Sequence, residues 1–175
     1  METKKTLADV AIGETFKIGD MEFVKFSERD SETAIISKHS LFEMPFGDSN
    51  NYAESDIRAR LESEVLPLLE REIGADNIIE HELDLRALDG SDEYGKIRCK
   101  ISLSTIDFLR EHCELYKKEF SDTWTWTATP WSTKKYNWTY SVLCVAPRGF
   151  IFNDDCNYCS GVRPFLILNS SIFVS

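Results

Sequence analysis

The most reactive side chains of this sequence stand close together near its C-terminal end. Cys156-Asn157-Tyr158-Cys159 has the spacing of a thiol-redox pair or of half a metal site. Zinc takes about four ligands, and the three histidines, His39, His81 and His112, are all distant in sequence from this one pair. A redox role asks for the pair at a helix N-terminus, where thiol pKa values fall, whereas these residues lie in a predicted loop just before a strand. The expectation is no metal, no cofactor and free thiols. Arg163, within Gly161-Val162-Arg163-Pro164, opens a predicted strand. Its guanidinium can fork to a carboxylate such as Asp154 or Asp155, or to loop carbonyls. That makes it a structural clamp first and an anion ligand second. Trp126 is the second residue given a structural role.

A third set is chemically milder. Trp131, Tyr136, Trp138 and Tyr158 lie in or beside predicted loops with Lys134, Lys135, Arg148, Asn153, Asp154 and Asn157. Aromatic rings bury much area with little lost rotamer freedom, so such a set suits recognition. The candidate ligand-binding residues are Trp131, Tyr136, Trp138, Arg148, Asn153, Asp154, Asn157 and Tyr158. The alternative, that several of these rings only cap the core, stays open. No Ser/His/Asp set, glycine-rich phosphate loop or His-Glu-x-x-His helix is present, so no catalytic residue is assigned.

These residues need a scaffold, and the composition supplies one. The chain has 175 residues, 42% of them hydrophobic and 29% charged, as in an ordinary globular domain. The formal net charge of -10 disfavours a nucleic-acid partner, since affinity for a phosphate backbone comes mainly from lysine and arginine. No apolar run has the length of a signal-peptide core or a membrane span, so the expected setting is cytoplasmic, with phage association as an extension. Five cysteines without an export signal read as reduced thiols.

The pattern predicts one α+β domain, mostly antiparallel sheet with two or three helices. An N-terminal hairpin region spans 12–38: 14–18 and 21–26 alternate apolar with polar around a Gly19-Asp20 turn, and 33–37 forms a third strand. Residues 44–51 read as loop. A helical part covers 52–74, with Ser55 as N-cap, Ile57, Leu61, Val65, Leu68 and Leu69 as its buried stripe, and Pro67 breaking or kinking it. Strand and helix follow in 96–114, the helix starting at Ser104. Residues 78–88 are ambiguous. The C-terminal sheet, 123–175, has a half-buried strand with Trp124, Trp126 and Ala128 on one face. A 140–146 and 150–152 hairpin follows, then a polar loop 153–160, a strand 162–168 that closes the sheet, and a short pairing tail 172–174.

At Trp126-Thr127-Ala128-Thr129-Pro130 and Gly161-Val162-Arg163-Pro164, the chain resembles a domain family of unknown function from gut bacteria and their phages. Asn51, Tyr52, Ser55, Ile57 and Arg58 match its helix start, and Leu103-Ser104 its strand end, so the resemblance spans nearly the whole chain. Ala128 replaces an arginine of that pattern, while Arg163 is retained. The terminal motif is similar in turn to the Gly-Phe-Arg strand of formylglycine-generating-enzyme-like and phage variable-protein domains, which implies a C-type-lectin-like fold. The resemblance implies a non-catalytic binding or interaction domain for an unknown protein or glycan. Its alternatives are an enzyme of the formylglycine-generating type or a structural module of a larger assembly. Cys156 and Cys159 stand too close to the Gly-Val-Arg strand for the two-cysteine pattern of the related copper oxidase. Phe152-Asn153-Asp154 is similar to the Trp-Asn-Asp element of calcium-dependent lectins, but the companion Glu-Pro-Asn element is absent.

Overall fold

A computed structural model of the chain describes residues 4–120 and 123–175. The first strand, β1 (Lys5–Thr6), pairs with the last, β15 (Phe173–Val174), so the two ends of the described chain lie side by side. Between them, Gly19 takes φ 57, which lets Ile18 pair with Met21 and joins β2 (Thr15–Ile18) to β3 (Met21–Arg29). β3 continues past the predicted end at residue 26 as far as Arg29. Its turn sits at Asp30 and Ser31, both at positive φ, and β4 (Glu32–Ser37) returns from there. An aspartate tolerates this left-handed geometry better than a branched residue, so a hairpin forms there without glycine.

β4 is followed by β5 (Phe42–Met44), β6 (Ile78–Ile79), β7 (His81–Asp84), β8 (Lys96–Cys99) and β9 (Ile101–Ser102). The ambiguous region thus resolves as two short strands, and β7 pairs with β8 as a separate ribbon. The remaining strands are β10 (Thr125–Pro130), β11 (Ser141–Val145), β12 (Ile151–Asp155), β13 (Ser160–Val162) and β14 (Phe165–Asn169). A six-stranded sheet runs β2-β3-β4-β14-β6, with β9 also pairing β14, and a five-stranded sheet runs β12-β11-β10-β13-β5. Together with the helices they make one α+β domain of mostly antiparallel sheet.

The stretch predicted as one closing strand in fact serves both sheets. It changes sheet at Arg163-Pro164, β13 belonging to one sheet and β14 to the other. The tail 172–174 pairs with β1 and not with this strand. Gly161 is required where β13 meets β10, since a Cβ there would lie 2.1 Å from Ser40 Oγ and 2.8 Å from the Trp124 carbonyl oxygen.

The six-stranded sheet is buried on both faces. Phe23, Ile35, Leu166 and Leu168 face one core, shared with Trp126, Val142, Cys144 and the helical Ile57, Leu61 and Leu69. Val24, Phe26, Ile36 and Phe165 face a second, with Leu109, Tyr116 and Phe120. Burial on both sides overrides the expected polar face of β3. Lys25 is buried, and its ammonium donates to the Leu7 carbonyl at 3.0 Å and pairs with Glu28.

The helical region is continuous: α1 (Asp56–Arg60) passes through a π turn (Leu61–Val65) into α2 (Leu66–Ile73). Ser55 Oγ accepts from the Arg58 amide, as its type predicts. Pro67 has no amide to donate, and the wider turn just before it, where the Leu66 amide reaches Leu61, accommodates it without ending the helix. Leu68 falls on the exposed side, outside the expected stripe. α3 (Ile106–Glu111) and α4 (Cys113–Glu119) cover the second core. Thr105, not Ser104, caps α3, because the Ser104 carbonyl is engaged by the Ala128 amide.

Candidate functional site

The residues expected in recognition are positioned by β10 and its neighbours. All six residues of β10 are buried, so its expected solvent face does not exist. Its threonines are bonded inward: Thr127 Oγ1 donates to the Leu143 carbonyl at 2.8 Å, and Thr129 Oγ1 accepts from the Ile106 amide at 2.9 Å. Trp124 precedes the strand and is exposed, its ring edge-on to Phe152 at 5.7 Å. Trp126 is buried, donating from Nε1 to the Met44 carbonyl at 3.0 Å and meeting Phe46 edge-on.

Arg163 stands where the chain changes sheet, with 2% of its side chain exposed. It donates to the Ser37 and Lys38 carbonyls at the end of β4 and to Thr125 Oγ1 and Thr123 Oγ1 beside β10, and its guanidinium lies over the Phe120 ring at 4.4 Å. These contacts bridge the two sheets. The carboxylates expected as its partners, Asp154 and Asp155, lie on β12, separated from β13 by β11 and β10.

After β10 the chain forms the aromatic loop, and one buried amide organises it. Asn50 is fully buried. Three carbonyls, of Ser132, Trp138 and Ser141, lie within 2.9–3.0 Å of its Nδ2, the Tyr94 hydroxyl donates to its Oδ1 at 2.7 Å, and its own amide donates to the Thr139 carbonyl. The turn at 89–94 holds the other side. Ser132 Oγ donates to Asp89, Ser91 and Thr133 share a hydroxyl bond, and the Lys135 amide donates to Glu93. The Lys135 amide and the Thr133 hydroxyl hold the Glu93 carboxyl below the usual carboxylate range. A loop with this many side-chain anchors keeps its shape before any ligand arrives, which lowers the entropy cost of binding.

On this support Trp131, Tyr136, Trp138 and Tyr140 are exposed, with Trp138 and Tyr140 rings 4.8 Å apart and Lys135 5.7 Å from the Tyr136 ring centre. The Cys156 amide donates to the Tyr140 carbonyl at 2.7 Å, bringing the turn that carries exposed Asn157 and Tyr158 beside them. A cleft of about 420 Å³ opens in the same region between Asn51, Glu54, Glu93, Tyr94, Lys134 and Thr139. Trp131, Tyr136, Trp138, Asn157 and Tyr158 therefore share one end of the five-stranded sheet. Arg148 does not join them. It lies in the turn at the other end of the β11–β12 hairpin, at φ 73, about 15 Å of strand away. Asn153 and Asp154 are not loop residues either, since β12 extends through Asp155; Asn153 sits opposite Leu143 and Asp154 opposite Val142.

The two thiols of the Cys-x-x-Cys pair have different environments. Cys156 is a core residue whose thiol is pushed up by burial, while Cys159 is exposed. Burial raises Cys99 to about 11 and Cys144 to about 12, so both stay protonated and weakly reactive near neutral pH. Cys113, at the start of α4, is partly buried. Among the described residues, no three His, Cys, Asp or Glu side chains converge to hold a metal ion, and no helix is long and apolar enough to cross a membrane.

Sequence reasoning missed Asn50, Tyr94 and the anchoring carboxylates. Asn50 lies in the polar run Asp48-Ser49-Asn50-Asn51, where nothing distinguishes a buried amide from a solvated one. It also missed the exposed Trp124, Phe150, Ile151 and Phe152. Compared with known proteins, the chain matches no family model, no curated protein and no solved structure.

Proposed function

We propose that this chain is a non-catalytic binding domain that meets a protein or glycan partner through the aromatic end of its five-stranded sheet. The observation that carries this reading is the exposure of Trp131, Tyr136, Trp138 and Tyr140 on a segment fixed from beneath by Asn50, with Tyr158 exposed on the neighbouring turn. Rings of this kind offer apolar faces for stacking, and the adjoining cleft offers carboxylates, an ammonium and an amide for hydroxyl or backbone groups. A C-type-lectin-like architecture, and kinship with the gut-bacterial and phage domains whose terminal strand reads Gly-Val-Arg-Pro, belong to the same proposal. Support for them comes from the pairing of β1 with β15 and from the place of Arg163 between the sheets. The separate environments of Cys156 and Cys159 weigh against a two-thiol oxidase of the formylglycine-generating type.

The test replaces Tyr136, Trp138 and Tyr158 together with alanine and screens native and mutant chains against a glycan array and an immobilised host-cell extract. Circular dichroism should show an unchanged fold, because all three rings are exposed. The mutant should lose every partner that the native chain captures. Equal capture by both would place recognition elsewhere.

A further inference from the structure

The five-stranded sheet ends at β12 without ending its hydrogen bonding. β11 pairs β12 from Ser141↔Asp155 to Val145↔Ile151. Just outside this ladder, the Ala146 amide donates to the Phe150 carbonyl and the Cys156 amide to the Tyr140 carbonyl, at 2.8 and 2.7 Å. Hydrogen-bonded and non-hydrogen-bonded pairs alternate in an antiparallel ladder. Phe150, Phe152, Asp154 and Cys156 therefore turn their backbone groups toward β11, and Ile151, Asn153 and Asp155 turn theirs outward. Asp155 is satisfied locally, its amide by Asp154 Oδ1 at 3.0 Å and its carbonyl by the Tyr158 amide at 2.9 Å. At Ile151 and Asn153, two amides and two carbonyls remain facing out, and among the described residues no strand pairs with this edge.

Open edges are ordinarily protected by lysine, proline, a bulge or a covering segment. β12 has none of these between Ile151 and Asn153. Its surroundings are apolar at one end, with Phe150 60%, Phe152 53% and Trp124 43% exposed, and acidic at the other, with Asp154 and Asp155. A second copy of the chain is a poor occupant. Each copy carries -10, and pairing across a two-fold axis at Asn153 would set Asp154 of one copy against Phe152 of the other.

We propose that β12 is a strand-addition site. It takes an extended segment of a partner protein as an antiparallel sixth strand, with apolar or β-branched residues along Ile151 to Asn153 and a lysine or arginine beside Asp154 and Asp155. Main-chain bonds at Ile151 and Asn153 supply affinity, and the apolar-to-acidic gradient sets direction. This site adjoins the aromatic end at Asp155, whose carbonyl accepts from the Tyr158 amide, but its bonding groups at Ile151 and Asn153 do not depend on the exposed rings.

The test uses the whole chain and a fluorescein-labelled peptide, Lys-Lys-Thr-Val-Thr-Val, in a fluorescence anisotropy titration. Binding should saturate and weaken with added salt. N-methylating one alternating set of peptide amides should cost about tenfold or more, the scale of losing a single well-made hydrogen bond, while methylating the other set should cost little. Asn153→Pro should cost as much, because it removes an amide that faces away from β11 and leaves the inner ladder in place. The Tyr136, Trp138 and Tyr158 triple alanine chain should bind the peptide normally. Absence of saturable binding, or equal loss from both methylated sets, would overturn the proposal. So would a dimer that competes with the peptide and disappears in Asn153→Pro, which would make a second copy the occupant.

Discussion

The two sheets differ most at their edges. At β2, the outer edge of the six-stranded sheet, the chain pairs with its own end: the Lys17 amide donates to the Ser175 carbonyl at 2.6 Å, and the Ser175 amide returns a bond at 3.3 Å. Among the described residues, neither edge strand of the five-stranded sheet has an outer partner. β5 is only three residues long, with Arg60 3.9 Å from the Phe42 ring centre, whereas β12 is five residues long and uncovered, apolar at its Ile151 end and acidic at Asp154 and Asp155. The faces differ in the same sense, since the six-stranded sheet lies between two cores while the five-stranded sheet carries the exposed rings at one end. One sheet is scaffold. On the proposed reading, the other leaves its outer backbone groups and aromatic area for something outside the chain, at the expense of the protection that edges normally carry.

If that division holds, substitutions should separate sharply by location. The largest losses should come where the sheets are joined. Trp126→Ala removes a buried ring and the bond to Met44, and should cost about 3–5 kcal/mol in urea unfolding. Arg163→Ala strands the Ser37 and Lys38 carbonyls and uncovers Phe120, for about 2–4 kcal/mol. Ile151→Ser, on the open edge, should stay within about 0.5 kcal/mol of native. An edge substitution as costly as the junction ones would mean that β12 is part of the scaffold.

A smaller effect should appear with pH. Burial holds the His81 imidazole below the ordinary histidine range, where it lies beside Ser102 Oγ at 3.1 Å and the Cys99 sulfur at 3.7 Å. Unfolding frees the ring to take a proton, so the unfolded chain binds more protons just below about pH 6.5, and stability falls as the pH drops through that value. The carboxyls held low in the fold, such as Glu28 by Lys25, act at more acidic pH. Urea midpoints at pH 7.5 and 5.5 should therefore fall more for the native chain than for His81→Gln. Equal falls would remove His81 as the cause.

How much of this was legible depended on whether a residue type has one meaning. Gly19-Asp20 marked its hairpin because glycine at a two-residue turn has few other uses; Asp30-Ser31 makes the same kind of turn with residues that also populate loops. Lys25 reads as solvated in any pattern, and only the fold places the Leu7 carbonyl and Glu28 around it. The end of β12 was hidden for the opposite reason. Asn153, Asp154 and Asp155 look like loop because an uncovered edge strand needs no alternating apolar face. The aromatic set was visible as a set, but its support was not. Asn50 acquires its meaning from three carbonyls contributed by residues 82 to 91 positions away.

The contrast between the sheets can be read directly from amide hydrogen exchange in the free chain, followed residue by residue by nuclear magnetic resonance. Lys17 and Asn153 are matched, each on an edge strand with its amide facing outward. The account predicts protection at Lys17, through the Ser175 carbonyl, with fast exchange at Ile151 and Asn153 and slow exchange at Phe152 and Asp154 between and beside them. Protection at Ile151 and Asn153 equal to that at Phe152 would show that the edge of β12 is already occupied, and would contradict the division between scaffold and recognition sheet.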